Sequence, residues 1–255
     1  MIGLIGYGWI GQAMHRLFPD AKIYDRYDGV HEDALYGCEA VFVAVPTPLH
    51  ETGRLCIDEV IDAVATCPVD LIVIRSTLNP GNAEELARTY NKRIVVQPEY
   101  LGETPAHPMR DMLTRPFMVL GGDPADRRQV IDIYAKVYNA DIRIRQVSHL
   151  EAELIKLTEN RAILYKVAQC QELYDVCEAA GVDYYTIRDA VYGDDPRMNL
   201  WWTFVYPEKR GAHSKCLPKD VEAWAQWAEG VGVDVPATRA MLAYTDSLLG
   251  DSHGV

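Results

Sequence analysis

The amino-acid sequence predicts an α/β protein: a doubly wound, mostly parallel sheet over residues 1–147, followed by a helical domain over residues 148–255. Two observations support this fold class. Through the first part, short β-branched apolar runs alternate with amphipathic segments, as parallel sheets with crossover helices require. From Ser148 onward, apolar residues instead recur at helical spacing. A length of 255 residues suits two domains of this size.

The predicted strands of the first domain are short and apolar, and they cover residues 2–5, 21–24, 40–45, 71–74, 94–96, 117–120 and 142–144. Amphipathic helices are predicted between some of them, at residues 58–65 and 126–138. This order of elements favours crossover connections and a mostly parallel sheet.

The second domain is predicted to begin with a long helix. Ser148 and Glu151 form a capping box, the helical pattern continues to Ala180, and Gly181 suits a C-terminal cap. A helix of this length often forms a domain or subunit interface, so we expect a homodimer through residues 149–180. A shorter helix at 185–191, an irregular aromatic segment at 199–210 and one last helix after Cys216 complete the prediction.

Composition excludes several kinds of partner. The 37 Asp and Glu residues outnumber 25 Lys and Arg residues, and a net charge of −12 disfavours nucleic acid and anionic membranes. The N-terminus lacks the basic and apolar segments of a signal peptide, and no run is long enough to span a bilayer. The six cysteines show no metal-ligand spacing, so we expect thiols, no metal site and a cytoplasmic location.

A glycine motif follows the first predicted strand. Gly6, Gly8 and Gly11 form GxGxxG around Trp9 and Ile10, where a helix should begin. In a Rossmann-type fold these glycines allow a tight turn, close approach of a pyrophosphate and close helix packing. The motif predicts a dinucleotide site, with flavin as a minor alternative to NAD or NADP.

Asp25 ends the second predicted strand, 19 residues after Gly6 and near the spacing of about 20 expected for a ribose-binding carboxylate. A carboxylate there binds the ribose hydroxyls and repels a 2′-phosphate, which favours NAD. The neighbouring Arg26 works against this preference.

Several later residues have chemistry that suits a reaction site. Lys156 and Asn160 are four apart on the long helix, so both can donate hydrogen bonds to a developing oxyanion. Cys216 is flanked in sequence by Lys215 and Lys219, and positive charge favours the reactive thiolate. The plainer alternatives are a solvated helix face and a small core cysteine.

Acidic side chains accompany these residues. Asp220 lies four residues after Cys216, where it can orient a lysine or a water. Glu99 and Glu103 follow a predicted strand, at the sheet edge where open α/β proteins bind ligands. Acidic loop residues are also commonly just solvated.

Five segments join the glycine motif, in a fixed order, to resemble the UDP-glucose/GDP-mannose dehydrogenase family. They read Val45-Pro-Thr-Pro48, Ser76-Thr-Leu-Asn-Pro-Gly81, Pro98-Glu-Tyr-Leu-Gly-Glu103, Lys156-Leu-Thr-Glu-Asn160 and Cys216-Leu-Pro-Lys-Asp220. One such motif could be coincidental, whereas six in order are specific. The resemblance covers residue 1 to about residue 221.

The resemblance implies an NAD-dependent oxidation of a sugar or nucleotide-sugar alcohol to the acid by two hydride transfers. Cys216 is the implied nucleophile, which forms a thiohemiacetal and then a thioester. Lys156 is expected to assist proton removal and bind the oxyanion, with Asn160 supporting it. Asp220 and Glu103 are expected to handle the water that attacks the thioester.

Further roles are implied by position in the same motifs. Thr77 would orient that water or Glu103, Glu99 would contact the substrate region, and Arg197 would reach the substrate of a neighbouring subunit. The implied cofactor contacts beyond the glycine motif and Asp25 are Pro46, Thr47, Ser76 and Thr77. The implied substrate contacts are Glu99, Tyr100, Leu101, Glu103, Lys156, Asn160 and Arg197.

Two departures from the family pattern bear on the substrate. His213 and Ser214 replace two glycines that precede the nucleophile in family members, so side chains occupy space near the sugar, and His213 becomes a candidate base for Cys216. Family members also continue into a third domain that grips the nucleotide. We expect that grip to be missing, supplied by another chain or unnecessary.

Two other functions remain open on the sequence. A β-hydroxyacid-type dehydrogenase shares the dinucleotide fold and a Lys-x-x-x-Asn helix, but makes a single hydride transfer and needs no cysteine. A non-catalytic NAD-binding regulator is the alternative outside enzymes. The number of NADH molecules formed per substrate separates all three.

Overall fold

The computed structural model describes residues 1–26, 35–102, 107, 109, 111–114 and 116–250, apart from the side chains of Thr114 and Gly250. These residues fall into two compact units. The first comprises described residues of Met1–Glu51 and Leu55–Lys156, and the second those of Thr52–Arg54 and Leu157–Val255.

Seven strands form the sheet of the first unit. They are β1 (Ile2–Ile5), β2 (Lys22–Tyr24), β3 (Ala40–Val43), β4 (Leu71–Ile74), β5 (Arg93–Val96), β6 (Phe117–Gly122) and β7 (Arg143–Val147). The order across the sheet is β2-β1-β3-β4-β5-β6-β7. The first five strands in that order are parallel, β6 is antiparallel to β5, and β7 is parallel to β6.

In the described residues of this unit, four α-helices connect strands: α1 (Trp9–Leu17), α2 (Asp58–Thr66), α3 (Asn82–Tyr90) and α4 (Pro124–Tyr134). A 3-10 turn at Met112–Thr114 precedes β6. Apolar residues of the sheet alternate between two buried clusters, because successive strand side chains point to opposite faces. Val41 and Val43 lie in one cluster and Ala40 and Phe42 in the other. The predicted doubly wound, mostly parallel α/β sheet is therefore confirmed.

The helix α5 (His149–Ala180) leads from the first unit into the second. Its capping box forms as predicted, since Ser148 N–H and Oγ both donate to Glu151 Oε2, at 2.7 and 2.8 Å. Gly181 ends the helix in the left-handed region at φ +69°. The Val182 N–H donates to the Cys177 carbonyl, which completes a Schellman-type cap.

The second unit is helical beyond α5. It contains α6 (Tyr184–Arg188), a π-helical turn at Asp189–Asp194, α7 (Leu217–Gly230) and α8 (Pro236–Gly250). The prediction of a single last helix after Cys216 is wrong. The chain turns at Gly232, where φ is +87°, and a second helix begins at Pro236. Proline suits the first turn of a helix, where its missing N–H costs nothing.

Other boundaries differ by a few residues. The predicted helix at 126–138 is observed at Pro124–Tyr134, with tighter turns after it. The predicted strand at 142–144 extends to Val147, although exposed arginines obscure its apolar pattern. None of the helices in the described residues has the length and apolar character needed to cross a membrane.

Candidate functional site

The turn between β1 and α1 and the first turn of α1 each require a glycine. Gly6 has φ +89°, and an added Cβ would lie 2.4 Å from the Ala44 carbonyl oxygen. A Cβ on Gly11 would lie 2.1 Å from the Gly6 carbonyl oxygen. Both distances are far below van der Waals contact, so this turn and the close seat of α1 exclude any side chain.

Gly8 differs from its two neighbours in the motif. It is exposed at the N-cap of α1, and an added Cβ would meet no atom within 4 Å. Trp9 and Ile10 form the first turn of α1, which contains no acidic residue. The first N–H groups of a helix have no partner within it and favour an anionic ligand. Binding of a pyrophosphate at this helix start stays a prediction.

Negative charge lies at the end of β2. Asp25 Oδ2 accepts the Tyr7 N–H at 2.6 Å, which ties this carboxylate to the glycine turn. Arg26 forms an ion pair with Asp62 of α2, and both side chains are about half exposed. The open Gly8 backbone and the adjacent Asp25 fit a dinucleotide whose ribose carries free hydroxyls.

The loops that follow β3 and β4 are joined by Ser76. Its Oγ accepts the Val45 N–H at 2.9 Å and donates to the Val45 carbonyl at 2.7 Å. Thr47 is buried, Pro46 is exposed and Thr77 is partly buried. These loops lie at the carboxyl ends of parallel strands, where doubly wound proteins bind their ligands.

The loop after β5 begins at a buried ion pair. Glu99 Oε1 accepts the Tyr100 and Leu101 N–H groups at 2.6 and 2.7 Å, and Glu99 Oε2 pairs with the Arg75 guanidinium. Arg75 also donates to Gln97 Oε1 at 3.1 Å. Glu99 therefore fixes the start of this loop, and its contact with a substrate stays a prediction.

Lys156 lies beside the same loop. Its Nζ is 5.1 Å from the centroid of the Tyr100 ring. Asn160 follows one turn later on α5, as the sequence spacing predicted. Glu103 lies outside the described residues.

In the second unit, Asp220 has two polar partners. One carboxylate oxygen accepts Asn160 Nδ2 at 2.6 Å and the other accepts Lys219 Nζ at 2.6 Å. Asp220 is 1 % exposed. A carboxylate at this depth requires charged or hydrogen-bonding partners, which these two side chains provide.

Cys216 is exposed at the N-cap of α7, and its carbonyl accepts the Asp220 N–H at 3.0 Å. Ser214 Oγ accepts the N–H groups of Cys216 and Leu217, both at 3.2 Å. Ser214 thus stabilises the start of α7, a role that a glycine there lacks. His213 Nε2 bonds to the Arg210 carbonyl at 2.9 Å.

Arg197 is exposed and has a partner in its own loop. Its guanidinium pairs with Asp195, with Nη2 and Oδ2 separated by 2.6 Å, and this contact holds the pKa of Asp195 below its usual value. Its predicted reach into a neighbouring subunit stays a prediction. Among the described residues, no group of three or more His, Cys, Asp or Glu side chains is arranged to hold a metal ion.

Two polar residues of the first unit were not predicted from the sequence. Arg75 directly follows a strand of four buried residues, and Glu153 lies on the buried face of α5. Glu153 accepts the Gly81 and Ala83 N–H groups at 2.6 and 2.8 Å, so it caps the start of α3. In both cases the sequence shows a charged residue next to, or within, an otherwise apolar stretch, and such a residue must find a polar partner when it is buried.

Two family models match the chain. Residues 26–161 match the NAD binding domain of the UDP-glucose/GDP-mannose dehydrogenase family, and residues 150–246 match its central domain. Among curated relatives, the UDP-glucose 6-dehydrogenase of Rickettsia typhi is 25% identical over 228 residues, which cover 85% of this chain and 51% of that protein. The GDP-mannose 6-dehydrogenase of Azotobacter vinelandii is 29% identical, with 82% and 51% covered.

A solved structure gives the same fold. The UDP-glucose dehydrogenase of Pyrobaculum islandicum superposes with a TM-score of 0.82 at 22% identity, over 96% of this chain and 68% of that one. The chain thus spans about half the length of the curated relatives it matches.

Proposed function

Because the chain belongs to the UDP-glucose/GDP-mannose dehydrogenase family, we propose that it oxidises the primary alcohol of a sugar or nucleotide sugar to the acid, with NAD and Cys216. The observation that carries the proposal is the placement of Cys216. Its thiol is exposed at the start of α7, one turn before the buried Asp220 carboxylate. A structural cysteine is usually buried, as Cys170 and Cys177 are.

The residues that hold the cofactor are those of the glycine turn and Asp25. The α1 N-terminus binds the pyrophosphate beside the bare Gly8 backbone, and Asp25 binds the ribose hydroxyls. When bound, NAD supplies a hydride acceptor for each oxidation. The chain's own side chains manage the protons and the carbon–sulfur bond.

Lys156 and Asn160 act on the substrate oxygen. In the first oxidation, Lys156 donates a hydrogen bond to the alcohol oxygen and favours loss of its proton, and loss of a hydride from the alcohol carbon leaves an aldehyde. When the carbonyl is attacked, both side chains donate to the negative oxygen that forms. Asn160 is held for this task by Asp220.

Cys216 forms the covalent intermediate. Its thiolate attacks the aldehyde carbon, a C–S bond forms, and the oxygen takes up a proton to give a thiohemiacetal. Loss of a hydride and that proton leaves a thioester. Water, oriented by Asp220 and Glu103 with Thr77, attacks the thioester, and the C–S bond breaks to release the acid and the thiol.

The proposed reaction steps have a defined overall stoichiometry. One alcohol, one water and two NAD⁺ give one carboxylate, two NADH and three protons. We propose this route for a sugar with or without a nucleotide, since the matched segments of the relatives account for about half of their length.

Counting NADH tests the proposal. Purified protein is mixed with a panel of free sugars and nucleotide sugars, and NADH is measured by absorbance against substrate consumed. Two NADH per substrate supports the thioester route. One supports the single-step β-hydroxyacid type, and none across the panel contradicts the proposed enzyme and favours an NAD-binding regulator.

Cys216 is tested by substitution. Cys216→Ala is expected to abolish acid formation, and mass spectrometry should detect the substrate acyl group on Cys216 of the unmodified protein after quenching. Cys56→Ala, which changes a partly buried thiol of the first unit, is the matched control. Full activity of Cys216→Ala would exclude the covalent route.

A further inference from the structure

One aromatic ring lies against the ammonium that the proposed reaction uses. Lys156 Nζ is 5.1 Å from the centroid of the Tyr100 ring. A cation at this distance over a ring face is attracted by the ring quadrupole, and burial strengthens the attraction because less water competes. Tyr100 is 6 % exposed and Lys156 is partly buried. The contact therefore restricts where this ammonium can lie.

The ring is itself held in place. Its second neighbour is Phe117 at the start of β6, with ring centroids 5.0 Å apart and planes tilted by 46°. The backbone on both sides of the Tyr100 Cα is fixed by Glu99 Oε1, which accepts the Tyr100 and Leu101 N–H groups. Ring and backbone are thus both constrained.

Glu99 is anchored in turn by Arg75. The Arg75 side chain is fully buried and pairs with Glu99 Oε2. Its Nη1 donates to Gln97 Oε1 and to the Tyr134 hydroxyl, both at 3.1 Å. A buried guanidinium is costly to leave without its carboxylate, so the pair joins the end of β4 firmly to the loop after β5.

We propose that Tyr100 is the positioning residue of the Lys156 ammonium, and that the buried Arg75–Glu99 pair holds Tyr100 for this role. The proposal rests on the proposed function of Lys156 in the oxidation. It gives Glu99 the task of holding the loop. In this role Tyr100 and Glu99 act through Lys156.

The contact has a spectroscopic signature that does not depend on activity. In the full chain labelled with ¹³C at the lysine ε-carbon, the Lys156 signal should be displaced upfield by the ring current of Tyr100. Lys156→Arg identifies that signal. Tyr100→Phe should keep the displacement because the ring remains, and Tyr100→Leu should remove it.

Phe117→Leu provides the matched control, because it removes a ring from the same cluster without removing the ring that faces Lys156. It should keep most of the displacement and should show a similar loss of thermal stability to Tyr100→Leu. An unchanged Lys156 signal in Tyr100→Leu would overturn the proposal. An equal change of the Lys156 signal in Phe117→Leu would also overturn the proposal, because the displacement would then depend on general packing and not on the Tyr100 ring.

The Arg75–Glu99 pair is tested with both charges removed together. The double variant Arg75→Met/Glu99→Gln leaves no single buried charge, so it should fold where either single change fails. The Lys156 signal is expected to broaden or lose part of its displacement. A signal identical to that of the unmodified protein would contradict the role of the pair.

Kinetics then separate this inference from the proposed function. With an accepted substrate, Tyr100→Leu should lower kcat roughly threefold to thirtyfold more than Tyr100→Phe does, with a smaller change in KM. Loss of the ring-current shift without that kinetic difference would leave the contact standing and overturn its role in positioning. If no substrate is turned over at all, the proposed function fails while the ring-current result still decides the Tyr100–Lys156 contact.

Discussion

Two glycines at the start of α1 face opposite constraints. A side chain on Gly11 would lie 2.1 Å from the Gly6 carbonyl oxygen, whereas one on Gly8 would meet no atom within 4 Å. The first position is therefore required by the fold. The second is left open by the fold, and a pyrophosphate that approaches the backbone would account for a glycine there.

The expected outcome follows from this difference. Gly8→Ala should unfold at nearly the same temperature as the unmodified protein but bind NAD at least tenfold more weakly, because its methyl group occupies the approach to the phosphates. Gly11→Ala should lose stability by several kcal/mol. Calorimetric unfolding and NAD titration measure the two effects. Equal NAD affinity of Gly8→Ala and the unmodified protein would contradict the assignment.

We expect single residues to decide the choice between NAD and NADP as well. Asp62 pairs with Arg26, the cation next to Asp25 at the end of β2. Because the pair is half exposed, breaking it costs little stability. We expect Asp62→Ala to free the guanidinium for a 2′-phosphate and to raise affinity for NADP relative to NAD by roughly tenfold.

Titration of NADP and NAD into both proteins measures the ratio of affinities. Asp58→Ala, which removes an acidic residue from the same helix α2 without touching Arg26, is the control. A ratio that does not change in Asp62→Ala would show that Asp25 alone sets the preference.

Residues that belong to a spaced sequence motif could be predicted from the sequence. Residues whose role depends on burial in the folded protein could not. The glycine motif, Asp25, Asn160 and Asp220 were predicted from motifs, whereas the hydrogen bond between Asn160 and Asp220 was not. The Arg75–Glu99 pair was not, because its partners are 24 positions apart and its meaning lies in the absence of water around it. Pairing across a sheet is decided by strand order, which no single motif specifies.

At the scale of elements, the start of α3 depends on a residue from another helix. Glu153 of α5 is 2 % exposed and accepts two N–H groups at that start. Burial raises the pKa of Glu153 to about 7 from 4.5, and this effect outweighs the two backbone hydrogen bonds that favour the charged form. The carboxyl group is thus partly protonated near neutral pH.

The sign of the resulting pH dependence is definite. A folded-state pKa above the unfolded value means that the folded protein binds the proton more tightly, so stability falls as pH rises from about 4.5 to 7. The loss is on the order of 3 kcal/mol. Urea unfolding at several pH values should show this slope in the unmodified protein and not in Glu153→Gln.

Glu85→Gln is the control for that experiment, since it changes an exposed acid in the first turn of the same helix α3. It should keep the slope. Parallel stability curves for the unmodified protein and Glu153→Gln would mean that Glu153 titrates alike in the folded and unfolded chains.

Element positions followed from periodicity, and their ends often did not. Most predicted strands lie within two residues of the observed ones, because buried β-branched runs are unambiguous. The break between α7 and α8 was missed even though Gly230 ends α7, Gly232 lies in the break and Pro236 begins α8. The direction of β6 was outside the reach of pattern reasoning, because strand periodicity is the same for parallel and antiparallel pairing.

At the scale of the whole chain, exposed apolar side chains are concentrated in one segment. Ten large ones lie between residues 176 and 206, and we call them the 176–206 apolar surface: Val176, Val182, Tyr185, Ile187, Val191, Met198, Leu200, Trp201, Phe204 and Tyr206. Where exposed apolar side chains form one contiguous patch, they mark a protein–protein interaction site. A second copy of the chain is the expected partner, through this surface and the long helix.

Sedimentation velocity at micromolar concentration should therefore detect a dimer. The double variant Val176→Asp/Val182→Asp places two charges on the 176–206 apolar surface and should shift the protein to monomer. Val233→Asp, which changes an equally exposed valine between α7 and α8, should remain dimeric. A monomer in all three proteins would exclude this association.

The reversal of β6 has a consequence for the length of the chain near Lys156. Because β7 runs with β6 and against β5, α5 sets out from the amino end of β5, where His149 Nε2 bonds to the Ile94 carbonyl at 2.7 Å. Lys156 lies seven residues further along α5, which corresponds to about 10 Å along the helix axis. Its ammonium is over the Tyr100 ring, beyond the opposite end of β5.

The number of residues in this stretch of helix sets both the height and the direction of the Lys156 side chain. One inserted residue between His149 and Lys156 would swing the ammonium by about 100° and lift it by about 1.5 Å, out of register with the ring. The spacing of that interval is therefore under as much constraint as the identity of either end.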